Sequence, residues 1–84
     1  MTNLIDNKTA SRYELETDGH LSVADYTLAG DTISITHVIV PEALRGRGIA
    51  AQVMEGVVAD AKARGLQINP LCSYASTYMA RHKL

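Results

Sequence analysis

A glycine-rich loop between a strand pattern and a helix pattern constrains this chain more than any other feature. Residues 32–40 are rich in β-branched side chains, which is typical of a strand, and Pro41 ends the pairing. Arg45-Gly46-Arg47-Gly48 follows shortly after, and residues 49–64 then place apolar side chains at helical spacing. This order predicts a strand, a loop and a helix that begins at the loop.

Two strands and two turns precede this unit. Residues 12–17 and 20–29 read as strands that run in opposite directions. Asp18-Gly19 between them is a strong hairpin signal because glycine tolerates positive φ, and Gly30-Asp31 is a second turn. The apolar parity of residues 20–29 shifts part-way, which indicates a bulge or burial on both faces. In residues 32–40, alternation predicts one shared face for Ile33, Ile35, His37 and Ile39.

The last third of the chain completes the predicted fold. Gly65 is a helix stop, residues 67–72 read as a short strand, and Ser73 can cap a final helix. A strand-helix-strand crossover implies that its two strands are parallel. We therefore predict an α+β, three-layer-like domain over residues 1–84. It has three antiparallel strands, a crossover to a parallel fourth strand and a C-terminal helix, and residues 1–10 form a loosely ordered start.

Charge is divided unevenly along the 84 residues. Residues 1–42 carry seven acids and two bases, for −5, whereas residues 43–84 carry six bases and two acids, for +4. This distribution argues against general nucleic-acid binding, which favours a strongly basic domain. It suits an anion held by the C-terminal half and a cation attracted by the N-terminal half, or it is chance clustering in a short chain.

The sequence shows no recognisable targeting signal. The sequence contains no apolar run long enough for a membrane span, and its start lacks the basic region and apolar run of a signal peptide. A lone cysteine cannot form an internal disulfide, which favours a reduced, cytoplasmic protein. We expect no metal site, no membrane or nucleic-acid partner, and a monomer or weak dimer.

The loop itself has the chemistry of an anion site. The first N–H groups of a helix are unpaired and carry partial positive charge, and glycines let a phosphate approach the backbone. Arg45 and Arg47 add charge and forked donors. An ordinary solvated loop explains the same residues equally well. Neither the Walker pattern nor GxGxxG is present.

The segment VPEALRGRGIA resembles the main motif of the GCN5-related N-acetyltransferases (GNATs), [QR]-x-x-G-x-[GA], which Arg45, Gly48 and Ala50 fill. With the segment NPLCSYASTYMARH, residues 12–82 resemble a small stand-alone subfamily of this family. The resemblance implies a minimal GNAT fold and binding of acetyl-CoA. It implies that the coenzyme contacts the end of the third strand, the loop and the last helix, through Val38, Ile39, Val40, Leu44, Arg45, Gly46, Arg47, Gly48, Ile49, Ala50, Tyr78 and Arg81.

His37 and Cys72 are the candidates for chemistry, since in the small subfamily a His and a Cys at matching positions flank the coenzyme. His37 can act as a base, because the reference pKa of histidine is about 6.5. Cys72 can accept the acetyl group or only line the pocket. Both residue types also occur as satisfied or buried structural residues. Tyr74 and Tyr78 are either proton donors or aromatics of the core and rim, and the second interpretation is favoured.

These features lead to one function and two alternatives. The first is an acetyl-CoA-dependent N-acetyltransferase acting on a small or protein-borne amine of unknown identity. The second is a coenzyme A or acyl-CoA binding module with little or no transferase activity, because the sequence is much shorter than that of a typical GNAT, whose additional elements build the acceptor site. The third is a small interaction protein whose loop binds another anion.

Overall fold

The computed structural model of the chain describes residues 4–82, which form five strands, one short 3-10 helix (Glu42–Leu44) and two α-helices. The strands are β1 (Ile5–Asn7), β2 (Arg12–Thr17), β3 (His20–Ala29), β4 (Thr32–Ile39) and β5 (Gln67–Pro70), and the helices are α1 (Ile49–Ala63) and α2 (Ser73–Arg81). One sheet contains the strands in the order β1-β2-β3-β4-β5, and only the β4–β5 pair is parallel. The predicted α+β class and the parallel crossover are confirmed.

The two hairpin turns form where the sequence indicates them. Asp18 and Gly19 both adopt positive φ, 51° and 78°, so that Thr17 pairs directly with His20. This is the backbone of a two-residue turn whose twist matches that of the flanking strands. Gly30, with φ of 61°, turns the chain again between β3 and β4.

The predicted loose start is wrong for residues 5–7, and residues 1–3 lie outside the described part of the chain. Ile5–Asn7 pairs antiparallel with β2, with Ile5 opposite Glu14. The edge of β2 would otherwise present unpaired backbone groups, which a further strand satisfies. Leu4 also packs against the core. This strand lacks the length that makes a strand recognisable from alternation.

The core lies between one face of the sheet, here called the inner face, and both helices. The buried side chains of the sheet, loop and helices form one cluster: Tyr13, Leu15, Ala24, Tyr26, Ile33, Ile35, Leu44, Ile49, Val53, Met54, Val57, Ala61 and Ala75. Val58 of α1, Met79 of α2 and Ile68 of β5 line one small cavity, so the helices lie side by side. The fold therefore has two layers and not the predicted three-layer-like arrangement. The opposite, outer face of the sheet carries half-buried or exposed side chains.

A β-bulge in β4 changes which face of the sheet its side chains project from. Asp25 pairs with His37, but the next residue of β3, Tyr26, pairs with Ile35, which leaves Thr36 as the extra residue. The Thr36 hydroxyl donates to the carbonyl of Asp25 at 3.2 Å. A bulge shifts the alternation by one position. The bulge therefore lies on β4 and not on β3, where the parity of the sequence suggested one.

The bulge corrects the predicted face of β4. Ile33 and Ile35 are buried in the core, and beyond the bulge it is Val38 and Val40 that pack against it. His37 is exposed, and Ile39 is 53% exposed. His37 and Ile39 thus project from the outer face and do not share the face of Ile33 and Ile35.

A polar network joins α1 to the first three strands. The Tyr13 hydroxyl donates to Asp60, and the Tyr26 hydroxyl donates to Asp6, both at 2.6 Å. The Arg64 guanidinium lies 3.0 Å from each carboxylate. Burial, followed by the hydrogen bond to Asp60, raises the pKa of Tyr13 well above its usual range. Burial, followed by the hydrogen bond to Asp6, raises the pKa of Tyr26 to about 12.

Candidate active site

The loop before α1 has the backbone geometry of an anion site. Gly46 and Gly48 adopt φ of 81° and 74°, and Gly48 is the N-cap of α1. No side chain caps this helix, so its first N–H groups are available to an external acceptor. A Cβ at either glycine would meet no atom within 4 Å, so both glycines border open space. The predicted start of the helix at the loop is confirmed.

A cleft of about 250 Å³ opens over this loop. Seven of the predicted coenzyme-binding residues line it, namely Val40, Leu44, Arg45, Gly46, Gly48, Ile49 and Ala50. Two further residues complete it, Ala51 from the first turn of α1 and Tyr74 from α2. The cleft is thus bounded by the end of β4, the loop and both helices.

The remaining predicted coenzyme contacts lie elsewhere among the described residues. Val38 packs against the core and Ile39 projects from the outer face. The Arg47 guanidinium lies 2.7 Å from the carboxylate of Asp18 in the β2–β3 turn. Both side chains of that pair are about half exposed or more, 48% and 67%, so the pair adds little stability.

Beyond the bulge, β4 and β5 separate. Their pairing ends at Ile35 opposite Pro70. The carbonyl of Ile35 then accepts two hydrogen bonds, from the N–H groups of Leu71 and Cys72, both at 3.0 Å. From Thr36 onward, β4 has a strand partner only on its β3 side within residues 4–82. The region beside β4 that has no strand pairing, between Thr36 and the start of α2, is here called the gap.

The two predicted catalytic residues lie on either side of this gap. Cys72 is the N-cap of α2, and its half-buried side chain packs against the core. His37 stands on the outer face, where its Nδ1 lies 3.3 Å from the Thr36 hydroxyl. Neither residue lines the cleft over the loop. The N–H of Cys72 donates to the carbonyl of Ile35, but the Cys72 side chain packs towards the core whereas His37 projects from the outer face.

Comparison with known proteins places this arrangement in a family. Residues 12–84 match the profile of a family described as GCN5-related N-acetyl-transferase. The chain belongs to the GCN5-related N-acetyltransferases. A search of curated proteins finds no match to the chain. The five-stranded sheet with a parallel last pair is consistent with a GNAT fold.

Membership in the GNAT family supports a function of the acetyltransferase type, and acetyl-CoA is the general cosubstrate of this family. Within residues 4–82, neither helix is long and apolar enough to cross a membrane. The same part of the chain holds no group of three or more His, Cys, Asp or Glu side chains arranged around a metal ion.

An aromatic row on α2 borders the site of this GNAT. The rings of Tyr74 and Tyr78 are 6.4 Å apart and those of Tyr78 and His82 are 4.2 Å apart, measured between centroids. Burial, followed by the charge of Glu55, raises the pKa of Tyr78. Only Tyr74 of this row reaches the cleft, and Arg81 is exposed near the end of α2.

Sequence reasoning did not select Tyr74 as a coenzyme contact. The available signal was its position one residue after Ser73, in the first turn of a helix that follows the crossover. That position indicates a contact with the cleft only when α2 is known to pack beside the start of α1.

Proposed function

We propose that this chain is an acetyl-CoA-dependent N-acetyltransferase. One observation carries the proposal: an uncapped helix N-terminus with two positive-φ glycines lies in a cleft that also includes Val40, the residue that follows β4. The N–H groups at the start of α1, together with Arg45, would hold the pyrophosphate of the coenzyme. Gly46 and Gly48 leave open the space that a side chain would fill.

The gap supports a path for the rest of the coenzyme. The pantetheine arm contains amide groups, which pair with backbone groups in the manner of a strand. The β5-side edge of β4 beyond Ile35 is the one that lacks a strand partner within residues 4–82. An arm that leaves the cleft at Val40 and follows this edge would bring the thioester between Cys72 and His37.

Two chemical routes fit these residues. In the first, His37 takes a proton from the substrate ammonium, and the neutral amine attacks the thioester carbonyl. The C–N bond forms, the C–S bond breaks, and the coenzyme thiolate takes up the proton that the attacking nitrogen loses as it becomes an amide. In the second, the Cys72 thiolate attacks first and becomes acetylated while the coenzyme thiolate leaves. The amine then attacks the acetyl-cysteine, which restores the Cys72 thiolate, and His37 again receives the proton.

Intact-mass analysis after incubation with acetyl-CoA separates the routes. Appearance of one acetyl group on the protein, absent in Cys72→Ala and discharged by an amine, supports the covalent route. Turnover by Cys72→Ala without any adduct supports direct transfer. Release of free coenzyme A thiol is measured in parallel with a panel of amines.

Controls separate catalysis from binding. His37→Gln should lower the rate at constant coenzyme affinity, whereas His20→Gln, a change at an exposed histidine in the β2–β3 hairpin, should leave the rate unchanged. Coenzyme binding without turnover on any amine would instead favour a coenzyme-binding module. Failure to bind acetyl-CoA at all would refute the proposal.

A further inference from the structure

The bulge of β4 brings the side chains of Thr36 and His37 together. The pairing of β3 with β4 leaves Thr36 without a partner between Ile35 and His37. In a regular strand, consecutive side chains point to opposite faces of the sheet, whereas a bulge re-aims them. Here the Thr36 hydroxyl lies 3.3 Å from Nδ1 of His37. The bulge therefore creates a contact between neighbouring side chains that a regular strand does not form.

The Thr36 hydroxyl contacts two polar groups at once. It donates a hydrogen bond to the main-chain carbonyl of Asp25 at 3.2 Å, and it also lies within hydrogen-bond distance of Nδ1 of His37. A threonine hydroxyl has one hydrogen to donate and two lone pairs that accept, whereas a carbonyl oxygen only accepts. The hydroxyl hydrogen is therefore used by Asp25. Towards His37, the Thr36 oxygen is left as an acceptor.

This arrangement decides which nitrogen of the neutral His37 ring carries the hydrogen. A neutral imidazole has one N–H and one unprotonated nitrogen, and the hydrogen bond made by one nitrogen selects the form. Because the Thr36 oxygen accepts, both contacts of Thr36 are hydrogen bonds only if Nδ1 of His37 carries the hydrogen. Nε2, the ring nitrogen farther from the main chain, then has the free lone pair.

The charged groups in register with His37 do not bind its ring. Asp25 on β3 is directly opposite His37, and Arg12 on β2 is directly opposite Asp25. The Arg12 guanidinium is paired with Glu14 at 2.7 Å. Among residues 4–82, the hydrogen-bond partner of the His37 ring is the Thr36 hydroxyl alone. Nε2 of His37 therefore has no partner in this part of the chain and can accept a proton from a bound molecule.

We propose that Thr36 is a positioning residue that holds His37 in the Nδ1–H form, so that Nε2 is the atom that takes the proton of the substrate ammonium. The inference rests on the proposed transferase function and on His37 as its base. In this step an N–H bond of the ammonium breaks, its electron pair stays on the amine nitrogen, and the proton binds the lone pair of Nε2. The imidazolium that results keeps its hydrogen bond from Nδ1 to Thr36, so the exposed ring holds one orientation throughout.

NMR of the ring nitrogens in isotopically labelled protein measures the tautomer directly. At alkaline pH, where the ring is neutral, His37 should be in the Nδ1–H form. Thr36→Val keeps the branched shape but removes the hydroxyl, and should return His37 to the Nε2–H form that an unconstrained histidine prefers. Thr36→Ser keeps a hydroxyl and should keep the Nδ1–H form. His20, exposed at the start of β3, serves as the internal reference for an unconstrained ring.

Kinetics with an amine that the wild-type chain acetylates connect the tautomer to the reaction. Thr36→Val should lower kcat about fivefold, the effect of one ordinary hydrogen bond, while KM for acetyl-CoA stays constant. Thr36→Ser should keep most of the rate. Thr27→Val is the matched control, because Thr27 is an exposed threonine of β3 that pairs with Ser34, away from His37. This control should change neither the tautomer nor kcat, and urea unfolding checks that every variant is folded.

The NMR readout does not need turnover, so the two proposals can fail separately. If no amine is acetylated but the tautomer changes in Thr36→Val, the transferase proposal fails and Thr36 remains the residue that fixes the form of His37. The tautomer assignment is overturned if wild-type His37 is in the Nε2–H form, or if Thr36→Val keeps the Nδ1–H form. Loss of that form in Asp25→Asn would also overturn it, because the acceptor of the Thr36 hydroxyl is a main-chain carbonyl. An altered tautomer with unchanged kcat would refute the positioning role.

Discussion

Removal of the Tyr13 hydroxyl tests the polar network between α1 and the sheet. The ring of Tyr13 is 1% exposed and packs 5.2 Å from the ring of Tyr26, and Tyr13→Phe preserves both features. What is lost is one hydrogen bond to a carboxylate at 2.6 Å. Hydrogen bonds to charged groups contribute about 1.5–3 kcal/mol.

The lower end of this range applies to Tyr13→Phe. The side chain of Asp60 is 37% exposed and keeps its contact with Arg64, so the carboxylate can regain water after the hydroxyl is removed. We therefore expect the free energy of unfolding to fall by about 1.5 kcal/mol. For a domain of this size, that loss corresponds to a decrease in Tm of roughly 6–12 °C.

Urea unfolding followed by circular dichroism at pH 7 measures this loss. The m-value should stay constant, because the surface exposed on unfolding is unchanged. Tyr74→Phe is the control, since Tyr74 is partly exposed and its hydroxyl forms no hydrogen bond with another described residue. A loss below about 0.5 kcal/mol for Tyr13→Phe would show that the hydroxyl does not stabilise the fold.

The pH dependence of the same variant provides a second check. Burial opposes ionisation of Asp60, but hydrogen bonds from Tyr13 and Arg64 outweigh it and lower its pKa. A lowered carboxyl pKa contributes stability that is present above the unfolded pKa, near 3.9, and is lost as the pH falls through the folded pKa. The difference between the wild-type chain and Tyr13→Phe should therefore shrink in acid. A constant difference would contradict this role of Asp60.

Five further substitutions have definite expected outcomes. The wild-type chain should lose stability between pH 10, the ordinary pKa of tyrosine, and about pH 12, the pKa of Tyr26 in the fold, and Tyr26→Phe should lose less. Urea titrations at several pH values measure this loss. Ser22→Ala should raise the unfolding free energy by about 1 kcal/mol, because the buried Ser22 hydroxyl has no partner within residues 4–82; a loss would show a missed partner. Gly48→Ala should weaken acetyl-CoA binding at least about tenfold, as measured by calorimetry. Arg45→Ala should weaken acetyl-CoA binding more than Arg47→Ala does, because Arg45 lines the cleft and Arg47 pairs with Asp18. The opposite order would show that the coenzyme binds elsewhere.

Much of the fold follows from local sequence. Asp18-Gly19 supports a two-residue turn because its conformation needs positive φ at both positions, and the chain adopts it. The spacing of Ile49, Val53, Val57 and Ala61 predicts four of the five buried residues of α1, and Met54 is the fifth. Gly65 follows the last turn of that helix with φ of 68°. These features depend on backbone preferences and on periodicity within one element.

The candidate site was only partly predictable. The loop from Leu44 to Ala50 could be identified because its chemistry is carried by backbone N–H groups and by glycines. The partner of Arg47 could not, since Asp18 lies 29 residues away in sequence and the contact depends on how the hairpin meets the loop. Tyr74 enters the cleft through the packing of α2 beside α1, which periodicity within α2 does not reveal.

The sequence by itself predicted the order of the strands and α-helices from β2 to α2 and marked the loop as a candidate anion site, because turns, helical spacing and glycine φ are local properties. The tertiary structure decided which way the side chains of β4 point. In sequence, residues 33, 35, 37 and 39 alternate without interruption, yet pairing with β3 leaves Thr36 unpaired and reverses the facing after it. Inter-strand register is a property of two strands together, so only the folded chain shows that His37 projects from the outer face of the sheet.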